Sequence, residues 1–140
     1  EVKAVDQAIS LCKAMGAKRA LSLPVSAPFH TSLMKPAAER LTALVESTVF
    51  SAPVIPVIHN VNGQVQANTK IIKSLMIEQI YSPVRWVDCV IALRDRGAEY
   101  LVECGPGRVL NGLSKRIDRE LRSFATDDIN SLENALSSLK

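Results

Sequence analysis

Two polar residues, His30 and Gln79, are the strongest candidates for chemistry in this sequence. His30 lies in residues 26–31, a segment whose Ser, Pro and Thr content predicts a loop before a helix, where scaffolds often present catalytic groups. Its position alone leaves two interpretations open, an exposed loop imidazole or a general base. The second histidine, His59, ends an apolar run and is interpreted as a core or rim histidine with satisfied hydrogen bonds.

Gln79 falls on the apolar stripe of a predicted helix, in its last turn. Backbone carbonyls there have no intrahelical donor, so one of them can accept the N–H of an imidazole and fix its tautomer. A carboxylate has this role in a Ser-His-Asp triad. We therefore expect a ring nitrogen of His30 within hydrogen-bond reach of a Gln79 oxygen. The alternative is a flank position whose amide reaches solvent.

The segment ECGPGR at residues 103–108 predicts a strand, a glycine turn and the start of a helix. One hypothesis makes Cys104 a nucleophile served by His30, because a helix N-terminus activates a thiol. The alternative is a small buried hydrophobic residue at a strand end. The segment lacks the lysine and hydroxyl of a P-loop, and no G-x-S-x-G nucleophile motif occurs in the sequence.

Composition limits the class of protein. The 140 residues are 47% hydrophobic and 22% charged, with a net charge of +3, which excludes a disordered chain, and no apolar run is long enough for a membrane helix. Aromatic residues at 4% and a dispersed positive charge argue against nucleic-acid binding. Three widely spaced cysteines argue against a disulfide framework or a zinc site and favour reduced thiols in the cytoplasm.

The elements that must position these residues follow from apolar spacing. Spacings of three and four predict six helices, at about residues 2–15, 32–45, 69–82, 83–97, 108–117 and 128–139. Short β-branched or alternating runs predict strands at 21–25, 54–60, 64–66, 100–104 and 123–125, with a turn at Asn62-Gly63. The strands at 54–60 and 100–104 are expected to be buried. Together the elements predict an α/β layered fold with a largely parallel sheet.

Five segments resemble the malonyl-CoA:acyl-carrier-protein transacylase family, in the family's order along the chain. They are LPVSAPFHTSLMKPAA at 23–38, AP with VIHNV between 52 and 61, QIYSPVRW at 79–86, ECGPGRVL at 103–110 and KRI at 115–117. Family enzymes are more than twice this length, and the chain opens on Glu1 within a helical pattern. We therefore expect a fragment, the C-terminal portion of a family member.

The resemblance implies an α/β-hydrolase-like large domain that carries an inserted ferredoxin-like subdomain. By this similarity, residues 1–25 are the end of the small subdomain and residues 26–140 the C-terminal part of the acyltransferase domain. Exposed apolar surface is then expected where the absent strands would pack. The implied reaction is ping-pong transfer of malonyl from CoA to the phosphopantetheine thiol of acyl carrier protein, in fatty acid biosynthesis.

The resemblance also assigns roles to residues. His30 matches the family's catalytic histidine, and Gln79 matches the glutamine whose carbonyl orients it. Phe29 and Asn60 are implied to contact substrate, and no metal or cofactor is implied beyond the CoA thioester that serves as substrate. The implied partners are malonyl-CoA, acyl carrier protein and the missing N-terminal segment, in the cytoplasm. The serine belongs to that segment, so the chain alone is expected to be inactive.

Two other hypotheses stand beside this one. The first is a self-contained Cys104/His30 thiol hydrolase. The second is a non-catalytic domain that only binds a partner.

Overall fold

The computed structural model describes residues 1–139, which form six α-helices, four short strands and one 3₁₀ turn. The helices are α1 (Val2–Ala14), α2 (Lys35–Ser47), α3 (Thr69–Gln79), α4 (Trp86–Asp95), α5 (Val109–Ile117) and α6 (Ile129–Ser138). The strands are β1 (Ile58–His59), β2 (Gln64–Val65), β3 (Tyr100–Glu103) and β4 (Arg122–Ala125), and the 3₁₀ turn, Ser32–Met34, leads into α2. The predicted mixed α/β class is confirmed.

The predicted largely parallel sheet is wrong, because the strands form two separate pairs. β1 and β2 are antiparallel and joined through the predicted Asn62-Gly63 turn, where Gly63 has φ 68°. A Cβ at Gly63 would lie 2.7 Å from the Cβ of Asp88, so the turn also packs closely against α4. Only β3 and β4 are parallel, with α5 as the crossover that a parallel pair needs.

The helices match the sequence patterns more closely than the strands do. Asn68 caps α3, accepting hydrogen bonds from the N–H groups of Lys70 and Ile71, and Asp128 caps α6 through the N–H of Ser131. α4 starts at Trp86 rather than at Pro83. The N–H of Arg85 donates instead to the Asn60 carbonyl at 2.8 Å, which holds this stretch against the hairpin.

Three predictions about strands are wrong. Residues 21–25 form no strand, since Pro24 lacks a donor and no strand within residues 1–139 pairs with this segment. Only Ile58–His59 of the run 54–60 is extended in a sheet, and Val54 is 99% exposed. β3 forms as predicted, but its residues alternate between exposed and half-buried, because nothing among the described residues covers its outer face.

The core within residues 1–139 is small and lies in two places. One part is between α2 and α3, and the other is among α4, α5, β4 and α6, with α5 in contact with both α4 and β4. The buried hydrophobic residues are Ala38, Val45, Ile72, Cys89, Val90, Leu121, Ala125 and Ala135. Many large apolar side chains remain exposed, including those on α1, so exposed apolar surface is present; that absent strands would pack on it stays a prediction.

Among residues 1–139, no helix has the length and apolar character needed to cross a membrane.

Candidate functional site

His30 and Gln79 meet through a hydrogen bond between a side chain and the backbone. The Nδ1 atom of His30 lies 2.9 Å from the backbone carbonyl oxygen of Gln79, across 49 residues of sequence. The prediction that a ring nitrogen would reach a Gln79 oxygen is confirmed. This oxygen belongs to the backbone carbonyl of Gln79, the last residue of α3.

The packing of α2 on α3 brings the two residues together. Lys35, at the start of α2, places its ammonium 5.7 Å from the ring centre of Tyr81, just beyond the end of α3. At the other end, the Nζ of Lys73 donates to the Glu46 carbonyl at 2.8 Å. The two helices are therefore antiparallel, and the loop that precedes α2 lies beside the carbonyl end of α3.

The backbone at His30 has an unusual conformation. Its φ is 59°, the one positive value for a non-glycine residue in the part of the chain that the structure describes. The Oγ1 of Thr31 donates to the Pro28 carbonyl at 2.7 Å and closes a tight turn around it. Left-handed backbone at a non-glycine residue is sparsely populated and persists where surrounding contacts determine it. Here those contacts are the turn and the bond to Gln79.

The hydrogen bond defines what the imidazole can do chemically. A carbonyl oxygen only accepts, so Nδ1 carries the proton and donates it to Gln79. Nε2 of the neutral ring then has a free lone pair, which is the form required of a general base. The side-chain amide of Gln79 donates from its Nε2 to the Ser82 carbonyl at 3.1 Å and lies 3.4 Å from the same Nδ1.

Asn60 lies near this pair, in a shallow depression beside α3. The depression is bordered by His59, Asn60 and Val61 on one side and by α3 residues including Gln79 on the other. The side-chain oxygen of Asn60 is 3.5 Å from the thiol of Cys89, which donates to it. Burial, and secondarily the charge of Asp88, raises the pKa of the Cys89 thiol, so it stays a protonated donor.

Phe29 immediately precedes His30, and its side chain is about half exposed. No hydrogen-bonded or aromatic contact links it to Asn60 among the described residues. Asn60 therefore lies beside Gln79 in the structure, whereas Phe29 lies next to His30 in the chain.

The prediction that His59 is fully satisfied is wrong. Its Nε2 atom is buried and has no hydrogen-bond partner within residues 1–139, and the same is true of the side-chain oxygen of Gln79. Both residues border the depression described above.

Cys104 does not form a pair with His30. Its side chain is exposed, and the hydrogen-bond partner of its sulfur is the Val102 carbonyl at 3.9 Å. The imidazole instead bonds to Gln79. The hypothesis of a Cys104/His30 thiol hydrolase is therefore not favoured, and the expectation that Cys104 is buried is wrong.

Glu103 has a structural role that the sequence analysis missed. Its carboxylate accepts the backbone N–H of Leu110 at 3.1 Å and of Asn111 at 2.7 Å, so it caps α5 across the glycine turn. An acidic residue at the end of a strand, shortly before a helix start, was the available signal. Because these N–H groups already bind an internal anion, this helix N-terminus does not offer them to a ligand.

No group of three metal-ligating side chains occurs among residues 1–139.

The chain has close relatives among known proteins, although no family model matches it. It is 44% identical over 135 residues to the malonyl CoA-acyl carrier protein transacylase of Salmonella typhimurium, covering 96% of this chain and 44% of that protein. It is similar to the crystal structure of an acyl-carrier-protein S-malonyltransferase from Burkholderia pseudomallei, with TM-score 0.86, 44% identity and coverage of 95% of this chain and 43% of that one.

A third similarity is to a malonyl-transacylase solved in complex with a type II polyketide acyl-carrier protein. The TM-score is 0.89, with 44% identity and coverage of 97% of this chain and 44% of that one. The chain thus spans less than half the length of the relatives it matches. Nearly every residue of the chain takes part in these matches, so the resemblance to the malonyl CoA-acyl carrier protein transacylase family that its motifs indicated is confirmed.

Proposed function

We propose that this chain is the C-terminal portion of an enzyme that transfers malonyl from malonyl-CoA to the phosphopantetheine thiol of acyl carrier protein, in fatty acid biosynthesis. The observation that carries the proposal is the bond from His30 Nδ1 to the Gln79 carbonyl, which leaves Nε2 free as a base. The names of the relatives support the substrates, and the solved complex of a relative with a carrier protein supports the partner.

His30 is the proposed general base and acid. Its Nε2 takes the proton of a serine hydroxyl as the serine oxygen bonds to the malonyl carbonyl carbon, and returns it to the CoA sulfur as the C–S bond breaks. The second half-reaction runs the same steps in reverse with the carrier thiol. Gln79 holds the ring in the required tautomer, and Phe29 and Asn60 contact the substrate. No cofactor is required.

The serine is proposed to lie in a segment of the longer protein that precedes this chain, as do the groups that stabilise the oxyanion. The large accessible surface supports this. The protein exposes 10508 Å², whereas a compact 15.2 kDa monomer exposes about 7,100 Å². The difference is large enough to accommodate further packed layers of the same fold.

The architecture of the whole enzyme follows from this assignment. Residues 1–25 are the end of an inserted ferredoxin-like subdomain, and residues 26–140 belong to the α/β-hydrolase-like acyltransferase domain. The enzyme acts in the cytoplasm.

A chimera tests the proposal directly. The matched segment of the Salmonella typhimurium relative is replaced by this chain, and transfer of labelled malonyl from malonyl-CoA to holo acyl carrier protein is measured. We expect the chimera to be active and the 140-residue chain alone to be inactive. His30→Asn in the chimera should lower kcat/KM by about 10² to 10⁴, the usual contribution of general acid–base catalysis.

Cys104→Ser is the matched control. It should leave transfer within about threefold, because its sulfur bonds to the Val102 carbonyl whereas the imidazole of His30 bonds to Gln79. Turnover by the chain alone, or an unaffected His30→Asn chimera, would contradict the proposal. Loss of activity in Cys104→Ser alone would favour the thiol hydrolase.

A further inference from the structure

The hydroxyl of Thr31 occupies a capping position but does not cap a helix. Thr31 has the extended backbone of an N-cap residue, φ −129° and ψ 163°, just before the 3₁₀ turn that leads into α2. A threonine oxygen at such a position normally accepts the N–H of a residue two or three places further on. The side chain of Thr31 makes no such bond, so the start of α2 does not depend on its hydroxyl.

The hydroxyl is used in the opposite direction along the chain. Its Oγ1 donates to the Pro28 carbonyl at 2.7 Å, and this bond spans Phe29 and His30, the two central residues of a turn. Within residues 1–139, the other hydrogen-bond contacts of the Pro28–His30 stretch are those between the imidazole and Gln79. The bond from Thr31 is therefore the local contact that closes the turn.

The turn holds His30 in a conformation that its residue type does not favour. A positive φ at the third residue of a four-residue turn is ordinarily adopted by glycine or asparagine. His30 stands at this position with φ 59°. A return to negative φ would change the direction of the imidazole relative to the preceding chain. It would thus break a bond whose Nδ1 and carbonyl oxygen are now 2.9 Å apart.

We propose that Thr31 is a positioning residue for His30: by bonding to the Pro28 carbonyl, its hydroxyl keeps His30 in the left-handed conformation from which the imidazole reaches Gln79. Thr31 acts on the base through the backbone and does not contact the reacting atoms. Its importance for catalysis rests on the proposed function, whereas its effect on the geometry of His30 does not.

The test uses the 140-residue chain with ¹⁵N-labelled histidine, at a pH where both imidazoles are neutral. Long-range ¹H–¹⁵N spectra report the ratio of the Nδ1–H to the Nε2–H tautomer. Thr31→Val removes the donor but keeps the β-branched shape, which suits the extended backbone of residue 31. We expect the His30 ratio to fall by about twofold to tenfold, the range that one net hydrogen bond covers. His59 provides an internal reference.

Thr31→Ser and Thr48→Val are the controls. The first keeps a hydroxyl and should retain the ratio of the unsubstituted chain. The second removes an identical kind of bond, from the Oγ1 of Thr48 to the Leu44 carbonyl at 2.7 Å, at the far end of α2, and should leave His30 unchanged. A folded Thr31→Val chain with an unchanged His30 ratio would overturn the inference, as would an equal fall in Thr31→Ser or in Thr48→Val.

A second measurement needs no substitution. Positive φ brings the amide and α protons of one residue closer together, so His30 in the unsubstituted chain should show a strong nuclear Overhauser effect between them, together with an excess of the Nδ1–H tautomer. A weak effect, or an excess of Nε2–H, would overturn the inference even if Thr31→Val did not fold. In the chimera, Thr31→Val should lower kcat/KM by a similar factor and Thr31→Ser should restore it. The spectra require no activity, so a failed transfer assay and a failed Thr31 test are separate outcomes.

Discussion

At the scale of single residues, the site depends on one backbone oxygen. The Gln79 carbonyl accepts from His30 Nδ1 at 2.9 Å, and the imidazole is offered to it from a left-handed backbone at φ 59°. The amide of the same glutamine bonds to Ser82. A substitution of Gln79 therefore removes the tie to Ser82 but not the carbonyl, which makes its effect on the imidazole indirect.

Cys89 is expected to be the least reactive of the three thiols. Burial, and next the neighbouring Asp88 carboxylate, raises its pKa above the ordinary value, so at a given pH less of it is thiolate. Cys12 and Cys104 are exposed. With limiting iodoacetamide, we expect Cys89 to be alkylated at least about tenfold more slowly than either, and to need a higher pH than they do to reach the same rate.

Peptide mapping by mass spectrometry, at a series of pH values and under native conditions, gives the three rates. The same reaction in urea is the control, since unfolding should make the three rates similar. Native Cys89 reacting as fast as Cys12 would contradict the burial of its sulfur.

At the scale of elements, two helices and a capped turn determine the local geometry. The antiparallel contact of α2 with α3 places the start of one helix beside the carbonyl end of the other, and Lys35 and Lys73 stabilise its two ends. On the other side of the molecule, α5 connects the parallel strands β3 and β4 and begins at a glycine turn that Glu103 closes. These contacts are made entirely within the chain.

Removal of the Glu103 cap should destabilise α5. Glu103→Ala leaves the N–H groups of Leu110 and Asn111 without their carboxylate partner, and we expect the free energy of unfolding to fall by about 1–2 kcal/mol. Glu103→Gln retains one acceptor oxygen and should lower the free energy of unfolding by less than Glu103→Ala does. Urea unfolding followed by far-ultraviolet circular dichroism measures both.

Glu99→Ala is the matched control for this prediction, because Glu99 is exposed and lies just before the same strand. Its substitution should change the unfolding free energy by no more than about 0.5 kcal/mol. Equal effects at Glu99 and Glu103 would show that the carboxylate of Glu103 does not act as a cap.

At the scale of the whole molecule, the main feature is a large solvent-accessible surface. The chain exposes roughly 3,400 Å² more than a compact monomer of its mass, and its buried hydrophobic residues include three alanines. Exposed apolar side chains on α1 and around residues 49–57 contribute to this excess. Exposed apolar patches are typical of interaction sites.

We therefore expect the isolated 140-residue chain to self-associate and to bind an apolar dye such as ANS. Sedimentation velocity across a hundredfold range of concentration should show a rising weight-average mass, and dye fluorescence should fall when the chain is joined to the rest of the Salmonella relative in the chimera. The full-length relative is the control for dye binding. A chain that stays monomeric and binds no dye would contradict the expectation.

Much of the molecule was determined by sequence alone. The helices were predictable because their caps and apolar spacing are local, as Asn68 and Asp128 show. The Asn62-Gly63 turn was predictable for the same reason, and so was the pairing of His30 with Gln79, from a polar residue on an apolar stripe. The resemblance to the transacylase family followed from motifs spread along almost the whole chain.

Only the tertiary structure determined the features that depend on contacts between residues far apart in the sequence, which are strand pairing, burial and the Glu103 cap. A strand forms only where another strand supplies hydrogen bonds. Residues 21–25 therefore remained irregular despite their alternating apolar pattern, and so did most of 54–60 despite its β-branched residues. The cap from Glu103, the exposure of Cys104 and the lack of a partner for His59 Nε2 within residues 1–139 likewise arise from contacts made or missing across the fold. Local sequence sets the conformation of a helix or turn, but burial and strand pairing are properties of the surroundings.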